Sequence, residues 1–143
     1  MKFRFLDKIA IADIAFEAFG KNEKEVFENS ALALFEIMCD TKKISSKVKK
    51  KIRLKAESLE WLLYDFLSEL VFLKDTKSLV FGKFDLEVKQ KKLFELNAVV
   101  FGEKIDYKKN SRVLRNDVKA ITKHLFSLKK EKNKFTALVV PDI

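Results

Sequence analysis

At 143 residues, with 48% apolar side chains and fourteen Phe among them, the chain is sized for one domain, 1–143, with its own core. Three Gly and one Pro argue against a linker-rich or disordered chain, and a single Cys excludes a disulfide scaffold. The formal charge of +9 suits a polyanionic partner, or else a well-solvated mixed surface, since 30 basic residues stand beside 21 acidic ones.

No apolar run approaches the roughly 20 residues needed to span a bilayer. The start, Met1-Lys2-Phe3-Arg4, lacks the apolar stretch and cleavage site of a signal peptide. A cytoplasmic protein with no membrane partner is therefore expected, with Cys39 as a buried reduced thiol.

In chain order, residues 11–19 alternate, with Ile14, Phe16 and Ala18 on one face and Asp13, Glu17 and Phe19 on the other, which predicts a strand ended by Gly20. Asn22, three residues before Glu25, opens a capping-box-like start. Val26, Phe27, Ala31, Leu34, Phe35 and Met38 then follow at helical spacing, to about Asp40. Residues 47–56 return to period two, with Val48, Ile52, Leu54 and Ala56 inward and Lys47, Lys49, Lys51, Arg53 and Lys55 outward. Ser58 caps a second predicted helix, whose stripe of Leu59, Leu62, Leu63, Phe66, Leu67, Leu70 and Val71 ends near Asp75.

Beyond that point the pattern predicts strands only. Residues 79–89 and 92–104 form a hairpin about Gln90-Lys91, and 105–112 read as a loop. Residues 117–129 and 134–142 form a second hairpin through Glu131-Lys132-Asn133. The order β-α-β-α-β-β-β-β predicts an α+β two-layer sandwich, with two helices packed on a mixed, largely antiparallel sheet.

Several chemistries find no support. Three scattered glycines build no phosphate loop, and one His with one Cys builds no zinc site. No nucleophile-elbow motif accompanies His124, which alternates with Thr122 and Phe126 on the predicted strand and reads as a hydrogen-bonded structural residue. Carboxylates remain. Asp13 interrupts the apolar stretch Ile9-Ala10-Ile11-Ala12-Asp13-Ile14-Ala15-Phe16, where it is either the polar face of an edge strand or a charge that a cation or several donors must offset. Asp142 and the Ile143 carboxylate follow the apolar run 137–140, so this end is expected to be docked, and clustered carboxylates suit a hard cation.

The residues also resemble the archease family, across nearly the whole chain and in order. Ala12-Asp13-Ile14-Ala15-Phe16-Glu17-Ala18-Phe19-Gly20 matches the family's first strand. Glu25-x-Phe27-Glu28-Asn29 with Ala31, Phe35 and Met38 matches its first helix, and Glu57-Ser58-Leu59-Glu60 with Leu62, Leu63, Phe66 and Leu67 its second. Gly102-Glu103, Asp106-Tyr107, Val118-Lys119-Ala120-Ile121-Thr122-x-His124 and the closing Pro141-Asp142-Ile143 follow. Two departures stand out. Ile9-Ala10-Ile11 takes the place of a polar His-Thr, or else two residues are inserted and Asp7-Lys8 holds the older position, with Asp7 and Asp13 sharing a face. Lys123 stands where the family often has Tyr.

The resemblance implies a non-catalytic activator of the tRNA-splicing RNA ligase, promoting its guanylylation and repeated turnover. It implies a divalent metal, calcium foremost, held by Asp13, Asp142 and Ile143, with Lys119, His124 and Asp7 framing the site or contacting the ligase. Two other readings stay open. One is a basic RNA-binding or chaperone-like module acting on tRNA or RNA-modifying enzymes, motivated by the charge and the 47–55 lysine face. The other is a metal-dependent hydrolase using Asp13 and Asp142.

Overall fold

The computed structural model describes residues 1–6, 14–109 and 111–143. Its elements run β1 Phe3–Leu6, β2 Ala15–Gly20, α1 Glu23–Met38, β3 Val48–Ala56, α2 Leu59–Lys77, β4 Leu79–Gln90 and β5 Phe94–Lys104, then β6 Ala120–Ile121, β7 Ser127–Glu131, β8 Lys134–Val139 and β9 Pro141–Asp142. The fold is α+β, two helices on antiparallel sheets.

Both helices start where the sequence places them. The Asn22 side chain accepts from the Glu25 amide at 2.9 Å, and Ser58 Oγ accepts from the Trp61 amide at 3.1 Å. Helix α2 runs two residues past Asp75 and stops at Ser78, whose φ of 55° is left-handed.

Every pairing among the described residues is antiparallel, and the strands fall into three sheets rather than one. The orders are β1-β2-β8-β7, β3-β5-β4 and β6-β9. The reason lies in the width of the α1 stripe. Nine of its sixteen residues are buried, too many for one contact, and α1 packs on β2 and β8 of one sheet and on β4 of another. Helix α2 lies against β3, β5 and β4, and the Phe27 and Phe66 rings stack between the helices, 6.3 Å apart. Strand β1 has no counterpart in the sequence reading, because four residues are too few for a periodicity. Antiparallel pairing to β2 and the Arg4–Glu17 ion pair hold it.

The predicted 117–129 strand is broken. Ile121 faces Pro141 and Ser127 faces Leu138, so six residues on one side answer three on the other. The three surplus residues leave the ladder in a turn at 122–126, where Leu125 takes a φ of 57°. The first hairpin closes through the three residues 91–93, with the Lys91 amide donating to the Leu93 carbonyl at 2.9 Å.

Cys39 is buried in the core, and desolvation, with Glu36 nearby, pushes its thiol up to about 12. It is the inert thiol that the sequence predicts.

Candidate metal centre at the C-terminal strand

The C-terminus is docked. Val140 and Pro141 are buried and Ile143 packs against the core, while the Asp142 side chain faces solvent. Three contacts to its backbone hold it. Strand β9 pairs with β6, the Lys119 amide donates to the Asp142 carbonyl at 2.7 Å, and Thr122 Oγ1 donates to the Val140 carbonyl at 2.7 Å. Strand β6 is itself tied to α2, because the Tyr64 hydroxyl donates to the Ile121 carbonyl at 3.1 Å.

Lys119 thus adjoins Asp142 through its backbone, with an exposed side chain. His124 is not on a strand. It is an exposed residue of the 122–126 turn, three surplus residues having forced that segment out of the ladder. Its neighbour Lys123 places its ammonium 4.3 Å from the Trp61 ring centroid and 5.5 Å from that of Tyr64, a cation–π cluster that ties the turn to α2. Phe126 completes the cluster edge-on to Tyr64, with centroids 5.5 Å apart.

One residue that positions this region escaped the sequence reading. Lys74 lies on the buried face of α2, 6% exposed, and its ammonium donates to Asp75 and Asp117 at 2.5 Å and to the Val118 carbonyl at 2.8 Å. It pins the segment that leads directly into Lys119 and β6. Burial alone would lower its pKa, but the Asp117 and Asp75 carboxylates outweigh it and hold the ammonium above the ordinary lysine value of 10.5. Lys74→Met is expected to lower stability by about 2 kcal/mol, since a charged donor to a buried carbonyl is lost. Because the folded value is raised, that contribution is complete below about pH 10.5 and is lost as pH rises through the folded value. Urea unfolding of the two proteins at neutral and alkaline pH reads both effects; equal midpoints at neutral pH would remove Lys74 from this role.

Asp7 and Asp13 lie outside the described residues. Among the described residues, no group of three or more His, Cys, Asp or Glu gathers as a metal site. The described part of the expected donor set is all oxygen, the Asp142 carboxylate and the Ile143 terminus, on a backbone hydrogen-bonded to residues 119–122. That chemistry fits a hard divalent cation and no soft one.

A family model for the archease protein family matches residues 3–143. The chain belongs to the archease family. An archease of Methanosarcina barkeri is 39% identical over 144 residues, covering 99% of this chain and 96% of that one. An archease of Pyrococcus furiosus is 40% identical over 134 residues, covering 92% and 93%. Among solved structures, the solution structure of Methanobacterium thermoautotrophicum protein 1598 is similar with a TM-score of 0.86 at 35% identity, covering 99% of each chain. A Thermotoga maritima crystal structure, described as an archease and possible chaperone, shares the fold with a TM-score of 0.66 at 20% identity, over 98% of each chain.

Within this archease, the sequence could have drawn attention to Lys74, the one cation in an otherwise apolar row with Phe66, Leu67, Leu70 and Val71. At helical spacing that row is buried, so a lysine in it needs a partner.

Proposed function

We propose that this archease is a non-catalytic accessory protein that activates the tRNA-splicing RNA ligase in the cytoplasm. In this reading it promotes guanylylation and multiple turnover of the ligase, and it presents a divalent metal site made by Asp13, Asp142 and Ile143. The observation that carries the reading is the docked C-terminus, where β9 and the Lys119 amide fix the Asp142 backbone while its carboxylate stays in solvent. Strand register supports the partnership of the two aspartates. Phe16 faces Val139, so the chain enters β2 and leaves β8 at one end of the sheet, and in sequence Asp13 precedes Phe16, and Asp142 follows Val139, by three residues each. In sequence, Asp7 directly follows Leu6, which faces Ala15.

When bound, a calcium ion would supply charge that orders these acidic groups against the ligase. Lys119 and the exposed His124 flank that end and are suited to contact the partner. The test mixes purified ligase, GTP and an RNA with ligatable ends, with and without this protein. Wild type is expected to convert single-turnover joining into repeated turnover, and Asp13→Ala to lose at least tenfold of that stimulation. Equal stimulation by the two proteins would dismiss the site assignment, and no stimulation by wild type would dismiss the activator reading.

A further inference from the structure

The β3-β5-β4 sheet turns one face to the helices and the other to solvent, and the solvent face is chemically lopsided. Alternation on β3 puts Lys49, Lys51, Arg53 and Lys55 outward. Across the sheet, Lys49 faces Phe101 of the central strand, and Phe101 in turn faces Lys83 of β4. The Lys83 ammonium lies 5.2 Å from the Phe101 ring centroid. Beyond this row the surface continues into an open cavity of about 750 Å³ lined by Lys47, Lys104, Lys108, Lys109 and Tyr107, with Glu103 and Asp106 on its wall. Tyr107 is 74% exposed.

The opposite end of the same face is neutralised. Lys55 and Lys91 pair with Glu95, and Lys89 pairs with Glu87. Among the described residues, Lys47, Lys49, Lys51 and Arg53 are joined to no acidic side chain. Net charge alone would scatter cations over the surface. Here they run in one file along β3, with Phe101 beside Lys49 and Tyr107 in the same cavity wall as Lys47. Asp85 and Glu87 lie one strand further away, across Val99 and Asn97 from Lys51 and Arg53.

We propose that the solvent face of this sheet, from Tyr107 across Lys47, Lys49 and Phe101 to Lys51 and Arg53, is a docking surface for single-stranded RNA. Cations at alternate positions of a strand recur about every 6.6 Å, in an extended row that can follow an extended ribose-phosphate backbone. Half-exposed Phe101 and exposed Tyr107 offer ring faces to unpaired bases, which a duplex keeps stacked on one another. The surface shares no residue with the C-terminal metal site, so the inference goes beyond the activator reading and does not depend on it.

Fluorescence anisotropy with a labelled oligouridylate tests it, using the full chain without ligase. Wild type is expected to bind with an affinity that falls steeply with salt, by a log–log slope of about −0.7 for each phosphate neutralised. The triple variant Lys49→Thr, Lys51→Thr, Arg53→Thr keeps strand-forming residues on an exposed face. It should bind at least tenfold more weakly, with a slope shallower by about 2. The triple variant Lys55→Thr, Lys89→Thr, Lys91→Thr removes the same charge from the neutralised end and should stay within about twofold of wild type. Tyr107→Ala should weaken binding by about fivefold. Equal losses in the two triple variants would reduce the binding to net charge and overturn the proposal. So would tighter binding of a duplex than of the single strand, or an absence of RNA binding by wild type in a preparation whose ligase stimulation is lost in the first triple variant, which would make the face a protein contact.

Discussion

A variant with one residue added after Ile143 is expected to bind calcium about a hundredfold more weakly than wild type in calorimetric titration, while its unfolding in the absence of calcium is unchanged. The extension turns the Ile143 carboxylate into a neutral peptide carbonyl and moves the terminal charge one residue outward, about 3.5 Å. Loss of a charged oxygen ligand weakens a hard-cation site by a few kcal/mol, and each 1.4 kcal/mol is tenfold in affinity. The fold should not notice, because Val140, Pro141 and the β6–β9 pairing all precede the added residue. Asp142→Asn removes the neighbouring charge without changing shape, and a similar loss is expected. If both variants titrate like wild type, the metal does not sit on these groups.

Gly102→Ala should be among the most destabilising single substitutions in the chain, at about 3 kcal/mol, or roughly 10 °C in Tm. No glycine among the described residues has a positive φ, so conformational freedom is not the reason. Gly102 lies in the central strand β5, facing Val48 on one side and Phe81 on the other, beside the bulge where the β4 register skips Gly82. A Cβ there would come within 1.8 Å of the Val80 carbonyl oxygen and 2.8 Å of the Phe81 Cα. Both are backbone atoms in a paired strand, so relief means shifting β4 against β5 and weakening the ladder. A thermal melt settles it, and a shift under about 2 °C would mean that the bulge yields more easily than its geometry implies.

Wherever one face of an element carries the core, that element was legible. The outward lysines and inward Ile52 and Ala56 of β3, the Asn22 and Ser58 caps, and the stripes of both helices are local patterns with a physical cause. The burial of Cys39 was expected of a lone cysteine within the predicted helical span, and it is buried one residue beyond the helix. What escaped depends on residues far apart in sequence. Nothing local tells that residues 120–121 answer 141–142 while 127–131 answer a different stretch, so a broken ladder reads as one strand and His124 as part of it. The partners of Lys74 lie on its own helix and 43 residues away, and only the three-dimensional fold brings Asp117 and the Val118 carbonyl to it. At the candidate site, residue types alone left Asp13 open between a solvated charge and a ligand. Resemblance supplied the partnership with Asp142 and Ile143. The register of β2 on β8 adds that Phe16 and Val139, each three residues away in sequence from one of these aspartates, face each other.

That register also bears on the order of folding. The β4–β5 hairpin closes over the short turn at 91–93, and β3 joins it from a nearby stretch of chain. The β2–β8 pairing instead joins Phe16 to Val139, across almost the entire chain, and the entropy of closing so long a loop delays it. The basic sheet should therefore form early and the β2–β8 pairing late, so a partly folded molecule would carry the basic surface before the two ends of the chain are joined. In hydrogen exchange the β4–β5 amides would outlast those of β2 and β8, and loss of the β2–β8 pairing would be the earliest sign of a chain beginning to unfold.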